Sequence, residues 1–159
     1  MSREAFITHQ RPGHQSMVNV REAANDDFEP AAAFYRASAY RPPLKATDQF
    51  IVAEDEAGIC GALRLCSEEG GLVLRGMRVA PSRQRQGIGT QLLERAAGLV
   101  GERECYCIPH RILSGFYARA GFEEIAVGTA PRFLQDRWKQ YTEEYALDVI
   151  LMRRPAVAS

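Results

Sequence analysis

Val79-Ala80-Pro81-Ser82-Arg83-Gln84-Arg85-Gln86-Gly87-Ile88-Gly89-Thr90 joins the apolar run Leu72-Val73-Leu74 to a segment with helical periodicity that starts near Gly87. A strand, a glycine turn and a helix start, in that order, make an anion cradle. The first N–H groups of a helix have no partner inside it, and the aligned peptide dipoles place about half a positive charge there. Phosphate or pyrophosphate is the natural guest. Gly87 and Gly89 let such a group approach the backbone because they carry no Cβ.

Two well-known glycine loops are excluded. The phosphate-binding loop of NTPases needs Gly, four residues, then Gly-Lys-Ser/Thr, but Gly89 is followed by Thr90 and Gln91. The dinucleotide fingerprint needs a third small residue three positions after the second glycine, and Leu92 stands there. What remains is Gln-x-x-Gly-x-Gly, from Gln84 to Gly89, straight after Val-x-Pro. It resembles the acyl-CoA signature Arg/Gln-x-x-Gly-x-Gly/Ala of the GNAT superfamily of N-acyltransferases. A second element, Phe116-Tyr117-Ala118-Arg119-Ala120-Gly121-Phe122, resembles the phrase Phe-Tyr-x-x-x-Gly-Phe that follows the fifth strand in that family.

Outward from the loop, alternation over 17–21 predicts a first strand. Asp26, with Glu29 three residues on and Pro30 in the first turn, predicts a capped helix, which Arg41-Pro42-Pro43 stops. Strands follow at 49–53 and 59–65 around the turn Asp55-Glu56-Ala57-Gly58, and at 72–79 after Glu68-Glu69-Gly70-Gly71. Ile88, Leu92, Leu93, Ala96 and Val100 form the apolar face of the next helix, which Gly101 ends. A fifth strand is read at 104–108 and a short helix at 112–120, capped by Gly121. A sixth strand at 122–127, a helix over about 131–145 bearing Phe133, Leu134, Trp138 and Tyr141, and a final strand at 146–152 complete the chain. No internal repeat or interdomain linker is visible.

Antiparallel strands followed by strands alternating with helices give one mixed sheet with helices on its faces. This order is similar to that of GNAT proteins over 18–153. The resemblance implies an α+β fold of α/β sandwich-like character: a single mixed, mostly antiparallel sheet flanked by helices. The expected organisation is a flexible extension at 1–16, the acetyltransferase-like domain at 17–154 and a tail at 155–159. The helix at 131–145 departs from the family, where the last two strands often connect directly.

With 159 residues, 46% of them hydrophobic and 25% charged, the chain suits one soluble domain with a sizeable core. Twenty basic side chains balance twenty acidic ones, which argues against nucleic-acid or membrane-surface partners. The same balance counts against a tRNA-directed acetylating toxin. Arg75, Arg78, Arg83 and Arg85 nevertheless crowd around the glycine loop. Cys60, Cys66, Cys105 and Cys107 form no Cys-x-x-Cys pair, and Cys105 and Cys107 should share one face of a strand. They read as small apolar residues in a reducing, cytoplasmic setting with no metal. His9 and His14 are a weaker metal candidate. No apolar stretch is long enough to cross a membrane, and the N-terminus lacks a signal-peptide core. The apolar last strand, with Trp138 and Tyr141 close by, predicts an open sheet edge and a homodimer.

The resemblance implies an N-acetyltransferase that uses acetyl-CoA as cosubstrate, with a small-molecule or peptide amine as acceptor. Backbone groups of Gln84, Arg85, Gln86, Gly87, Ile88, Gly89 and Thr90 would hold the pyrophosphate, with the Thr90 hydroxyl adding a bond. Met77, Arg78 and Val79 would pair with the pantetheine arm. Tyr117 would protonate the departing thiolate, since a phenol with pKa about 10 stays protonated at neutral pH. His110 stands where the family usually has an asparagine, seven residues before that tyrosine; it reads equally as a proton relay and as the polar end of strand five. Strand four lacks the glutamate some members carry, so amine deprotonation falls to water, His110, Glu54, Glu68 or Glu69. Arg83 or Arg85 is expected at the ribose phosphate, and Arg36, Arg41 and Lys45 hint at an anionic acceptor. The alternative is a non-catalytic acyl-CoA-binding regulatory module on the same fold.

Overall fold

The computed structural model describes residues 17–157. The extension, with His9 and His14, lies outside the described residues. In chain order the elements are β1 (Asn19–Glu22), α1 (Phe28–Ala37), β2 (Gln49–Asp55), β3 (Gly58–Glu68), β4 (Gly71–Val79), α2 (Ile88–Val100), β5 (Cys105–Cys107), α3 (Ser114–Ala118), β6 (Glu123–Glu124), α4 (Arg132–Glu143) and β7 (Met152–Arg154). The sheet runs β1-β2-β3-β4-β5-β7-β6. Among the described residues only β4 and β5 pair in parallel, and the other strand pairings are antiparallel. This is the mixed, mostly antiparallel sheet expected from the sequence.

The sheet is covered on both faces. α2 buries Ile88, Leu92, Leu93, Ala96 and Val100 against Ile51, Leu63, Leu65 and Leu74, and Tyr117 and Phe122 join that core. On the opposite face α1 packs Ala31 and Tyr35 over Val52 and Ala62, while α4 packs Leu134 over Val73, Tyr106 and Leu151. Cys105 and Cys107 share the α2 side. All four cysteines are buried as free thiols.

Several boundaries differ from the sequence reading for local reasons. Asp26 does not cap α1. Asp27 is the N-cap residue, and its carboxylate accepts the Ala24 N–H at 2.7 Å and pairs with Arg21 at 2.7 Å. α1 ends before Arg41-Pro42-Pro43 because Ser38 bonds back to the Phe34 carbonyl and Ala39 turns left-handed at φ 57°. The sixth strand is only two residues long, since a 3-10 turn follows at Val127–Thr129. The final strand begins later than 146, because the Leu147 N–H is held by the Tyr141 carbonyl at the end of α4. The chain first touches the sheet at an isolated bridge, Val149 to His110.

The edge-strand argument for a homodimer is corrected by the same topology. β7 lies inside the sheet, between β5 and β6. Trp138 covers the chain's own sheet, and its indole N–H donates to the Val149 carbonyl at 3.1 Å.

One buried cation organises the loop between α1 and β2. Arg64, on β3, is 1% exposed and pairs with Asp48 at 2.8 Å, whose side chain is 4% exposed. The same guanidinium donates to the Tyr40 hydroxyl at 2.7 Å and to the Pro43 carbonyl at 3.1 Å. Removing one partner of a buried pair strands the other charge. Asp48→Ala should therefore destabilise the protein by about 3–5 kcal/mol, read as a lower midpoint in urea at unchanged slope. A midpoint shift worth under about 1 kcal/mol would show that the pair behaves as a surface bridge.

Candidate active site

The site begins with a break in sheet pairing. β4 pairs with β5 at Val73 and Tyr106. Beyond that point the two strands part. The chain after β5 turns to the other side, where Ile150 N–H bonds the Pro109 carbonyl and Arg111 N–H bonds the Asp148 carbonyl. β4 stays with β3, but a bulge shifts its register between Arg64–Arg75 and Ala62–Arg78. Gly76 sits in that bulge at φ 70°. Tyr35 donates its hydroxyl to the Gly76 carbonyl at 2.8 Å. A Cβ on Gly76 would come within 3.1 Å of both Tyr35 and Tyr40, so no other residue fits there unstrained.

A cleft of about 170 Å³ fills the gap, lined by Leu74 to Arg78 on one strand and Cys107 to His110 on the other, with Leu113 and Tyr117. A sheet that opens in this way exposes unpaired strand edges to an extended ligand arm, the geometry of strand addition.

The glycine loop lies at one end of the same strand. A 3-10 turn at Pro81–Arg83 leads to Gly87, the N-cap of the 13-residue α2, at φ 84°. A Cβ at Gly87 would meet nothing within 4 Å, so the helix start is open to a ligand. Gly89 is one turn position further and packs its Cα side toward the Phe116 ring, where a Cβ would sit 3.6 Å away. Phe116 thus ties α3 to the loop. Gln84 donates to the Val79 carbonyl at 3.0 Å and Gln86 to the Ser82 carbonyl at 3.3 Å, which braces the loop from within. Thr90, in the first turn of α2, is half-buried. The open start of this 13-residue helix fits a pyrophosphate.

Arg83 is paired with Asp55. Its Nε and Nη2 both donate to one Asp55 oxygen, at 3.0 and 2.7 Å. Asp55 is held below its ordinary carboxylate range by the Ala57 N–H first and by Arg83 second. Arg85 is exposed and left-handed at φ 66°, and is the arginine of the pair that the loop presents to solvent.

Tyr117 is 6% exposed and lines the cleft. Burial pushes its phenol well above the ordinary tyrosine range, Cys107 adds to this, and the nearby Arg78 charge opposes it. The hydroxyl therefore stays protonated at neutral pH. Cys107 also lines the cleft, but burial and Cys105 drive its thiol well up, so it stays neutral and a poor nucleophile. His110 is exposed at the mouth.

Of the glutamates weighed as bases, Glu54 is paired with Arg21. Glu68 is shared between Arg75 at 3.1 Å and Arg137 at 2.8 Å. Glu69 sits in the left-handed hairpin turn with Gly70. None lines the cleft. Arg36, Arg41 and Lys45 are exposed and also lie outside the cleft lining. Arg64 was missed because its role depends on Asp48 and Tyr40, far from it in sequence. The signal that could have found it is a lone arginine in the otherwise apolar run Ile59–Leu65. Among the described residues no cluster of potential metal ligands is present, and no helix is long and apolar enough to cross a membrane.

Comparison with known proteins gives one family. The model described as an acetyltransferase (GNAT) domain matches residues 46–124. No curated protein matches the sequence. Among solved structures, N-acetylglutamate synthase from Neisseria gonorrhoeae, complexed with coenzyme A and N-acetyl-glutamate, superposes with a TM-score of 0.67 at 15% identity. That match covers 90% of this chain but only 36% of the synthase. The ribosomal-protein-S18-alanine N-acetyltransferase from Escherichia coli gives 0.63 at 17% identity, covering 90% of this chain and 96% of that one. An acyl-CoA N-acyltransferase from Pseudomonas aeruginosa gives 0.58 at 16% identity, covering 86% and 98%. At these identities the likeness is one of fold.

Proposed function

Because this chain belongs to the GNAT acetyltransferase family, with acetyl-CoA as cosubstrate, we propose that it acetylates a primary amine by direct attack in a ternary complex. The observation that carries the reading is the parting of β4 and β5 over Tyr117, with the open start of α2 at the end of the same strand. Gln84 to Thr90 hold the pyrophosphate through backbone N–H groups. Met77, Arg78 and Val79 offer main-chain groups to the pantetheine arm along the bulged edge.

The amine nitrogen attacks the thioester carbonyl carbon; the C–N bond forms and the C–S bond breaks. A main-chain N–H at the bulge supports the developing oxyanion. Tyr117 gives its proton to the leaving sulfur and regains one from solvent. The amine's proton leaves through water to His110 at the mouth. Much of the acceleration comes from holding the two reactants together. The neutral Cys107 thiol supports direct attack over an acyl-cysteine route. The acceptor is a small-molecule or peptide amine, and the setting is cytoplasmic, where buried thiols stay reduced.

The test is free-thiol release from acetyl-CoA across a panel of amines. Acceptor-dependent release is expected. Saturable acetyl-CoA binding with no release above the acceptor-free rate for any amine would replace this reading with the non-catalytic acyl-CoA-binding module.

A further inference from the structure

The face of the sheet that carries α1 and α4 holds an unbalanced group of arginines beside the cleft. Arg64 is matched by Asp48. Arg75 and Arg137 share a single carboxylate, one oxygen of Glu68 each. Arg78 has no acidic partner among the described residues; its guanidinium lies over the Tyr40 ring at 4.9 Å and donates to the Met77 carbonyl at 3.1 Å. Four guanidinium groups therefore face two carboxylates, each already paired with an arginine of the group. Arg75 and Arg78 both line the cleft that Tyr117 lines.

The glycine loop does not account for this charge. It leads into α2, which packs on the opposite face of the sheet. Phosphates held at the start of α2 would leave the arginines of the other face unmatched. Both walls of the cluster are fixed in place. Tyr40, which orients Arg78, is held by Arg64, and Tyr141 of the additional helix α4 accepts from Arg75 at 3.5 Å. A guanidinium stacked on an aromatic ring is pre-organised to bind a planar or tetrahedral anion through paired N–H groups.

We propose that the acceptor is a small amine carrying an anionic group, carboxylate or phosphate, and that Arg78, supported by Arg75, binds that group so that the amine faces the thioester. This rests on the acetyltransferase reading and adds the acceptor's class to it. Arg78 then acts as a specificity-determining residue, and Tyr40 as the residue that positions it.

The experiment uses the full chain with acetyl-CoA and matched amines: amino carboxylates, the corresponding amino amides, aminoalkyl phosphates and the corresponding amino alcohols. Thiol release should show kcat/KM about 10- to 100-fold higher for the anionic member of a pair, the worth of one charge-assisted hydrogen bond. The two anionic series show which anion is preferred. Arg78→Gln should level each pair mainly through KM, while Arg78→Lys, which keeps the charge, should retain part of the preference. Melting of the protein with CoA and the N-acetylated products adds a binding readout: anionic products should raise the melting temperature beyond CoA alone, and their neutral counterparts should not.

Equal or better use of neutral amines would overturn the proposal, as would a preference that survives Arg78→Gln. So would a protein that CoA stabilises but that neither acetylates nor binds any anionic member. Failure of acetyl-CoA itself to stabilise the protein would instead remove the acetyltransferase reading beneath it.

Discussion

Tyr117→Phe should lower turnover by about 10²- to 10⁴-fold if expulsion of the thiolate limits the rate, the usual worth of general acid catalysis. The ring stays and only the hydroxyl goes. Phe116 and Phe122 stack edge-on against that ring, at 5.0 and 6.1 Å between centroids, and these contacts survive the change. No protein partner is lost that would cost more than about 1 kcal/mol, so the melting temperature should barely move. CoA affinity should fall only slightly for the same reason. Because burial raises the phenol pKa above its ordinary range, the wild-type rate should show no alkaline decline from this group below about pH 10. The competing assignment is tested alongside. His110→Ala removes an exposed group at the mouth, and its expected effect is the smaller one. An inactive histidine variant beside a near-normal phenylalanine variant would transfer the critical proton to His110 and overturn the assignment.

The readable parts of this molecule are those whose physics is local. The loop from Gln84 to Gly89 announces itself by two glycines, a proline and the apolar spacing that follows. Its helix buries the five residues that the 3.6-residue period selected. Turns marked by Asp-Glu-Ala-Gly and Glu-Glu-Gly-Gly fall where the hairpins turn, the second of them with Glu69 and Gly70 both left-handed. The additional helix was visible from the spacing of Phe133, Leu134 and Trp138.

What escaped the sequence reading depends on partners far away in the chain. The place of β7 inside the sheet follows from its pairing with both β5 and β6, and an apolar run gives no hint of who its neighbours are. The parting of β4 and β5 is produced by residues 148–150 capturing residues 109–111. Nothing within either segment signals that competition. The bulge did leave a trace, because a glycine inside a strand often marks one, and Gly76 stands in the middle of β4. Charged residues were the least legible. Arg83, Glu54 and Glu68 are candidates for chemistry by type and position, yet each is engaged in an ion pair. Arg78 and Arg75 line the cleft instead.

Gly89→Glu should separate folding from cosubstrate binding. Gly89 lies in the first turn of α2 with helical backbone, unlike the left-handed Gly87. Replacing a helical glycine recovers about 0.5–1 kcal/mol of backbone entropy. A carboxylate in the first turn also meets the positive end of the helix, which favours it by about 0.3–1 kcal/mol. The new Cβ would touch the Phe116 ring at 3.6 Å, an ordinary contact. The variant should therefore melt no lower than wild type. The same carboxylate occupies the cradle proposed for pyrophosphate and repels it at close range. Wild-type protein should gain about 2.7 kcal/mol of stability at a CoA concentration one hundred times its dissociation constant. Gly89→Glu should gain almost nothing at that concentration, and its kcat/KM for acetyl-CoA should fall accordingly. Gly87→Ala supplies the contrasting control. It forces a Cβ onto φ 84°, should cost about 1–2 kcal/mol of stability and puts a methyl group into the open space at the helix start, so it should lose stability as well as part of its response to CoA. A folded Gly89→Glu protein that binds CoA as tightly as wild type would show that the phosphates lie elsewhere, and the reading of the loop as their cradle would be lost.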